Sequence, residues 1–246
     1  MKKLNICLVA ARRPELVRRT LQSFDRHLFR FCQVNQVRVN LDPIFGSKED
    51  EAEVVRLVRS IFPDAEINIP SQPGFTVAVQ WLWSSMDDGA FLHLEDDWVC
   101  LEDIPVETCI NDLDEKTRMI LLLSETHGER GKNRESVRIR KQKLLGLTYK
   151  RTAVPTFGTS PSITDGSFAR TASALLDCDL DPEKQMRDQR NPELIEFLSG
   201  YRCLFQASAD GHPLIQDIGR AWQRDNGVEK HVNAGVSKWS IETEGQ

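Results

Sequence analysis

Hydrophobic and polar positions alternate along the first hundred residues in two different rhythms. Leu4 to Ala10 is continuously apolar apart from Asn5, as a strand buried on both faces should be. Pro14 then opens a stretch with Leu16, Val17, Leu21, Phe24 and Leu28 at helical spacing. Val37 to Leu41 returns to the strand rhythm, Glu49 to Ile61 to the helical one until Pro63 stops it, and Glu66 to Ile69 is a short strand. Pro70 to Gly74 reads as a loop, Thr76 to Met86 as a helix, and Phe91 to Leu94 as a buried strand. Strand and helix in strict alternation predict an α/β fold, Rossmann-like, with a mainly parallel sheet and helices on both faces.

The second half is less regular. Met119 to Leu123 is again a buried strand, Pro192 to Tyr201 a helix with proline in its first turn, and Leu214 to Ile218 a last strand. Between them, Glu129 to Arg151 is polar and basic, and Pro155 to Phe168 is rich in Thr, Ser, Gly and Pro, which predicts a shaped loop. No internal repeat or low-complexity linker divides the 246 residues, so one domain is expected. Residues 1–100 read as a nucleotide-binding type of half, residues 101–240 as a second half, and 241–246 as a tail expected to fray.

The fourth strand runs straight into Glu95-Asp96-Asp97. Acids placed there lie at the C-terminal edge of a parallel sheet, where open α/β sheets bind ligands. Carboxylates at such an edge suit a hard divalent ion and a phosphate group, with a surface cap or turn as the plain alternative.

These residues and their setting resemble the GT-A glycosyltransferases, in particular the broad family of inverting nucleotide-sugar transferases. The resemblance rests on the opening strand with Arg12-Arg13-Pro14-Glu15-Leu16, on Asp42 after the second strand, on Pro73-Gly74 ahead of Gln80-Trp81, and on the acidic triplet. It covers the first hundred residues well and the rest loosely. It implies that Asp97 binds a divalent metal, Mn2+ or Mg2+. Glu95 would face the ribose or the sugar, with Asp96 between the two. Ala10, Arg12, Arg13, Asp42 and Gly74 would line the donor site, and the donor would be a nucleotide sugar, most simply a UDP-sugar. Asp42 is equally read as an Asp-Pro turn, and one of the two arginines as cover for the following helix. A carboxylate base is required to take the acceptor's proton. Glu193, after Asn191-Pro192, and Asp165, in Thr164-Asp165-Gly166, are the two candidates. Where the family carries a late metal-binding histidine this chain has Asp217, with His231 as the second choice and His212 nearby.

Charge and cysteine usage narrow the picture further. A net charge of −5 gives no global attraction to nucleic acid or anionic lipid. The segment Arg130, Lys132, Arg134, Arg138, Arg140, Lys141, Lys143 is nevertheless locally basic. It is either a solvated loop or a grip on an anionic acceptor such as DNA or an acidic glycan, and hydroxymethylated pyrimidines in phage DNA are one such acceptor. The six cysteines show no C-x-x-C pair or zinc spacing, which predicts reduced core thiols in a cytoplasmic protein. No stretch reaches the ~20 apolar residues of a membrane span. A non-catalytic nucleotide-binding module of the same fold is the alternative to an enzyme. Nucleotidyl transfer is less well matched, because Ala10-Ala11-Arg12-Arg13 is not a glycine-rich phosphate loop.

Overall fold

A computed structural model describes residues 1–127, 134–144, 147–187, 190–233 and 236–241. Its centre is a seven-stranded sheet in the order β10-β6-β9-β4-β1-β2-β3. The strands are β1 (Lys3–Ala11), β2 (Gln33–Asp42), β3 (Glu66–Asn68), β4 (Ala90–Glu95), β6 (Thr117–Leu122), β9 (Ser162–Asp165) and β10 (Arg202–Gln206). All run the same way except β9, which is antiparallel to both neighbours. A short second sheet pairs β5 (Trp98–Cys100) with β11 (Ile215–Asp217).

Alternation along β1 explains the layers. Leu4, Ile6, Leu8 and Ala10 face one core, with Val17, Leu21 and Phe24 of α1 (Pro14–His27) and Val54 and Val58 of α2 (Lys48–Ile61). Cys7 and Val9 face the other, with Val79, Leu82 and Trp83 of α3 (Phe75–Ser84), Phe168 and Ala172 of α5 (Gly166–Ala174), and Leu194 and Leu198 of α7 (Pro192–Ser199). Helices therefore cover both faces, and Trp83 is a core residue. Three further α-helices among the described residues are short: α4 (Val106–Asn111), α6 (Pro182–Arg187) and α8 (Gly219–Asp225).

The second half departs from its expected outline in three places. Pro155 to Phe168 is not a loop throughout, because Ser162–Asp165 is a central strand flanked by β4 and β6. Ser162 and Thr164 are fully buried there and bond each other at 3.1 Å, so hydroxyls that suggest a loop satisfy one another inside the sheet. The basic segment is not a loop either: it forms a hairpin of β7 (Val137–Leu144) and β8 (Leu147–Pro155), while Arg130 and Lys132 lie outside the described residues. Beyond the expected last strand, β12 (Val228–Asn233) and β13 (Val236–Ile241) form a further hairpin, so the first residue of the expected tail, Ile241, is still in a strand. All six cysteines are unpaired, and five are buried. Among the described residues no helix is long and apolar enough to cross a membrane.

Candidate functional site

The acids leave the sheet beside the end of its central strand. Glu95 is in register with Val9 of β1, so Asp96 and Asp97 emerge next to Ala10 and Ala11. Asp96 turns inward and is 2% exposed. Its carboxylate accepts the Ala11 N–H at 2.9 Å and binds the Arg13 guanidinium through both oxygens, while its backbone carbonyl accepts the Thr20 hydroxyl at 2.7 Å. Every acceptor on Asp96 is thus used in fastening strand ends and orienting Arg13.

Asp97 points the other way, with Oδ2 3.2 Å from Arg13 Nη2. The β5–β11 pairing sets Asp217 opposite Trp98 and so brings a second carboxylate alongside Asp97. Asp217 is held by the Gly219 N–H at 2.9 Å and the Arg220 Nε at 3.0 Å. Gly219 permits this approach, because a Cβ at that position would collide with the Asp97 carboxylate. Burial, followed by the neighbouring charges of Asp96 and Asp217, pushes the Asp97 pKa up to about 6, with Arg13 opposing the shift.

Asp97 and Asp217 open into a cavity of about 620 Å³ that is also lined by Ala10, Arg13, Asp42, Gly74, Glu95 and Asp96. Asp42 accepts from Asn40 Nδ2 at 2.7 Å and from the Gly74 N–H at 3.1 Å, which ties the second strand end to the N-terminus of α3. Burial raises its pKa, the two hydrogen bonds oppose the rise, and the charge of Asp96 adds to it. The Arg13 guanidinium lies over Trp222 at 5.2 Å and over Phe45 at 5.5 Å, and the two rings meet edge to face. Phe45 holds a φ of 70°, a conformation costing about 1–3 kcal/mol for a non-glycine residue, and it places the ring on this cation. Burial works against the charge on Arg13, but Asp96 and Asp97 outweigh it and push its pKa up.

Three other expected site residues lie elsewhere. Arg12 binds Glu51 of α2 at 2.6 Å and is the arginine that covers a helix. Asp165 sits opposite Ala90, the first residue of β4, at the edge of the sheet away from the acids. There it caps α5, accepting the Phe168 N–H at 2.8 Å, and pairs with Arg118 at 3.3 Å. Glu193 is exposed in the first turn of α7 and does not line the cavity. His231 falls on β12, and its side chain lies outside the described residues; His212 is exposed.

Glu183, on α6, was not among the expected residues; it is not one of the residues lining the cavity but lies near Glu95. Its Oε1 is 3.4 Å from the Thr159 N–H, and the Thr159 side chain hydrogen-bonds Glu95, so one threonine spaces the two acids. Burial and the charges of Asp97 and Glu183 hold Glu95 well above the ordinary carboxylate range. His93, beneath this group, is fully buried, accepts the Trp83 indole N–H at 3.1 Å and is pushed down to about 3 by burial. It is a neutral packing residue.

The donor set suits a hard dication. Asp97 and Asp217 offer carboxylate oxygens side by side, and Mg2+ or Mn2+ is ordinarily bound by one or two carboxylates with substrate phosphates completing the shell. Among the described residues no third ligand joins them.

No protein-family model and no curated protein sequence matches the chain. Solved structures do. A mannosyltransferase from Pyrobaculum calidifontis, PcManGT, in complex with GDP-Man and Mn2+, superposes with a TM-score of 0.57 at 10% identity, covering 89% of this chain and 59% of its own. TarS residues 1–349 of S. aureus, in complex with UDP, gives 0.56 at 12% identity, covering 88% and 60%. This chain has the GT-A fold. It spans about six tenths of the length of those two transferases. The same GT-A core is similar to a CMP:2-keto-3-deoxy-manno-octonic acid synthetase complexed with CTP, at a TM-score of 0.50 and 12% identity, covering 92% of this chain and 97% of that one. Sugar transferases and nucleotidyltransferases thus share the architecture described here.

Proposed function

We propose that this GT-A protein is an inverting glycosyltransferase that moves a sugar from a nucleotide sugar, a UDP-sugar in the simplest case, to an acceptor hydroxyl. The observation that carries this reading is the convergence of Asp97, Asp217, Arg13 and Glu95 on one cavity at the C-terminal edge of the sheet. A nucleoside diphosphate leaves only if its developing charge is neutralised. Arg13 supplies a fixed cation for that charge, pre-oriented by Asp96 and packed against two adjoining rings. Asp97 and Asp217 would hold Mn2+ or Mg2+, which when bound supplies Lewis-acid neutralisation of the diphosphate. Asp42 and the Gly74 turn form the wall suited to the base and ribose. Glu95, kept from ionising readily, can donate a hydrogen bond to a sugar hydroxyl.

Glu183 replaces Glu193 and Asp165 as our choice of base. It is partly exposed, lies beside Glu95, and is held by the Thr159 N–H and Arg187 Nη2, the latter at 3.2 Å. In the transfer the acceptor oxygen bonds to the anomeric carbon as the carbon–oxygen bond to the diphosphate breaks, and the acceptor proton passes to Glu183. Glu183→Gln should leave UDP affinity within about twofold and lower transfer, or slow donor hydrolysis, by about 10²–10⁴-fold. Glu193→Gln should change neither. Calorimetry with UDP, with Mn2+ or with EDTA, together with detection of released UDP, tests both statements. Metal-independent UDP binding and the absence of any donor turnover would favour a nucleotide-binding module. Release of pyrophosphate from a nucleoside triphosphate and a sugar would favour nucleotidyl transfer.

A further inference from the structure

We propose that the acceptor is a nucleic acid whose phosphodiester backbone lies in a basic cleft between the β7–β8 hairpin and helices α6 and α7. The proposal rests on the glycosyl-transfer reading for its chemistry, but the cleft is a separate structure from the donor cavity. It has a volume of about 500 Å³ and is lined by Arg138 and Lys141 of β7, Arg187 of α6 and Arg190 just ahead of α7, over an apolar floor that includes Met186 and Ile195. One of these cations, Arg187, is ion-paired with Glu183, so the basic character of the cleft is that of its lining side chains. In a chain of net charge −5, four cations from β7, α6 and the approach to α7 give this one groove a basic lining.

The hairpin carries a second sign. Lys141 is directly opposite Arg151 across the β7–β8 ladder, and both are exposed. Like charges in directly opposed positions destabilise a sheet pair, and a bound anion relieves that repulsion. Arg138 and Lys141 lie three residues apart on an extended strand, about 10 Å, and leave opposite faces of the β7–β8 ladder, so they bracket the groove rather than form one row. A single phosphate would need converging donors, whereas cations spread over this length match a chain bearing one charge per ~3.4 Å of axis on each strand. Tyr149, at the bulge beside the Lys141–Arg151 pair, is 66% exposed and offers a ring face for stacking, which favours a nucleic acid over an acidic glycan.

The cleft reaches the proposed base through Arg187. Its Nε donates to the Phe157 carbonyl at 3.0 Å, and Nη2 is 3.2 Å from Glu183 Oε1. Gly158 makes room for this guanidinium, since a Cβ there would run into it. A backbone held by the cations is therefore held beside Glu183.

The test uses the full chain. Fluorescence anisotropy with a labelled 20-nucleotide single strand and the corresponding duplex is followed across a salt series, with labelled heparin as the glycan probe and UDP affinity measured in parallel. Binding should fall linearly in log K against log salt. The double variant Arg138→Glu, Lys141→Glu should bind at least tenfold more weakly with a shallower slope, and Tyr149→Ala should weaken the single strand about tenfold without changing the slope or heparin binding. UDP affinity should be unchanged in all three. Absence of oligonucleotide binding, or binding indifferent to the charge reversals, overturns the proposal, and UDP binding intact in the same protein leaves the transfer reading standing. Loss of heparin and oligonucleotide alike on charge reversal, with Tyr149→Ala silent, overturns the nucleic acid in favour of a general polyanion groove. Cleft-dependent oligonucleotide binding without any UDP affinity would sustain the cleft and sink the transferase reading instead.

Discussion

Asp97→Asn should stabilise the protein when no divalent ion is present. In the folded state Asp97 shares a cavity with Glu95, Asp96 and Asp217, and its pKa stands at about 6 against an ordinary 3.8. Below pH 3.8 the side chain is protonated whether folded or not and contributes nothing. Between 3.8 and about 6 the folded chain keeps a proton that the unfolded chain has lost, so stability falls as pH rises. Above about 6 the whole cost is carried, and a difference of this size corresponds to about 3 kcal/mol. Asparagine keeps the shape and removes the charge. It also forfeits the 3.2 Å contact with Arg13, but Arg13 retains Asp96, so the net gain should be about 1–3 kcal/mol. For a chain of this length that is roughly 2–10 °C in Tm. Urea unfolding in EDTA at pH 7.5 and at pH 3.5 measures it: the variant should lead at the higher pH and match wild type at the lower. With Mn2+ and UDP the order should invert, because ligand that binds only the folded wild type adds stability of RT ln(1 + L/Kd), where L is the free ligand concentration. A variant less stable than wild type at pH 7.5 in EDTA would refute the reasoning, since it would mean that the Arg13–Asp97 pair outweighs the crowding of carboxylates.

Asp165→Ala removes the cap of α5 and the partner of Arg118, and should cost about 1–2 kcal/mol in urea unfolding while leaving turnover per folded molecule unchanged; lost turnover in a fully folded variant would reinstate Asp165 as the base. Trp222→Ala takes one ring from the Arg13 guanidinium, and UDP affinity measured by calorimetry should fall about 2- to 30-fold; unchanged affinity would remove α8 from the donor site.

The first hundred residues were legible because their elements obey single rhythms. The apolar run of β1 and the helical stripes of α1 and α2 leave no competing reading, and the acids after β4 can only emerge at the strand ends. From there the positions of Asp97, Asp42 and Gly74 follow from topology alone. Asp217 was suggested only by the resemblance, as the acid standing where the family has a histidine, and its place beside Trp98 depends on the β5–β11 pairing. Other features depend on packing that local pattern does not encode. Ser162-Ile163-Thr164 reads as a loop because two hydroxyls look like solvent-seeking groups, yet they bond each other in the centre of the sheet. Trp222 gives no signal of its own: only the fold of α8 over the Asp42–Ser47 turn brings it against Phe45 and Arg13.

The proposed base shows the limit most sharply. Asp181-Pro182-Glu183 and Asn191-Pro192-Glu193 have the same local grammar: a side-chain cap, proline at the first helical position, and a glutamate in the first turn. Asp181 accepts the Glu183 and Lys184 N–H groups, and Asn191 accepts that of Leu194, so both segments start helices as the pattern requires. Nothing in ten residues of sequence distinguishes them. The difference is that α6 begins against Thr159, which also bonds Glu95, whereas α7 begins in solvent, tied to the ends of α5 and α6 through Asn191. A carboxylate becomes a candidate base here through its neighbours across the sheet. Its helix-initiating role is served equally well at either position.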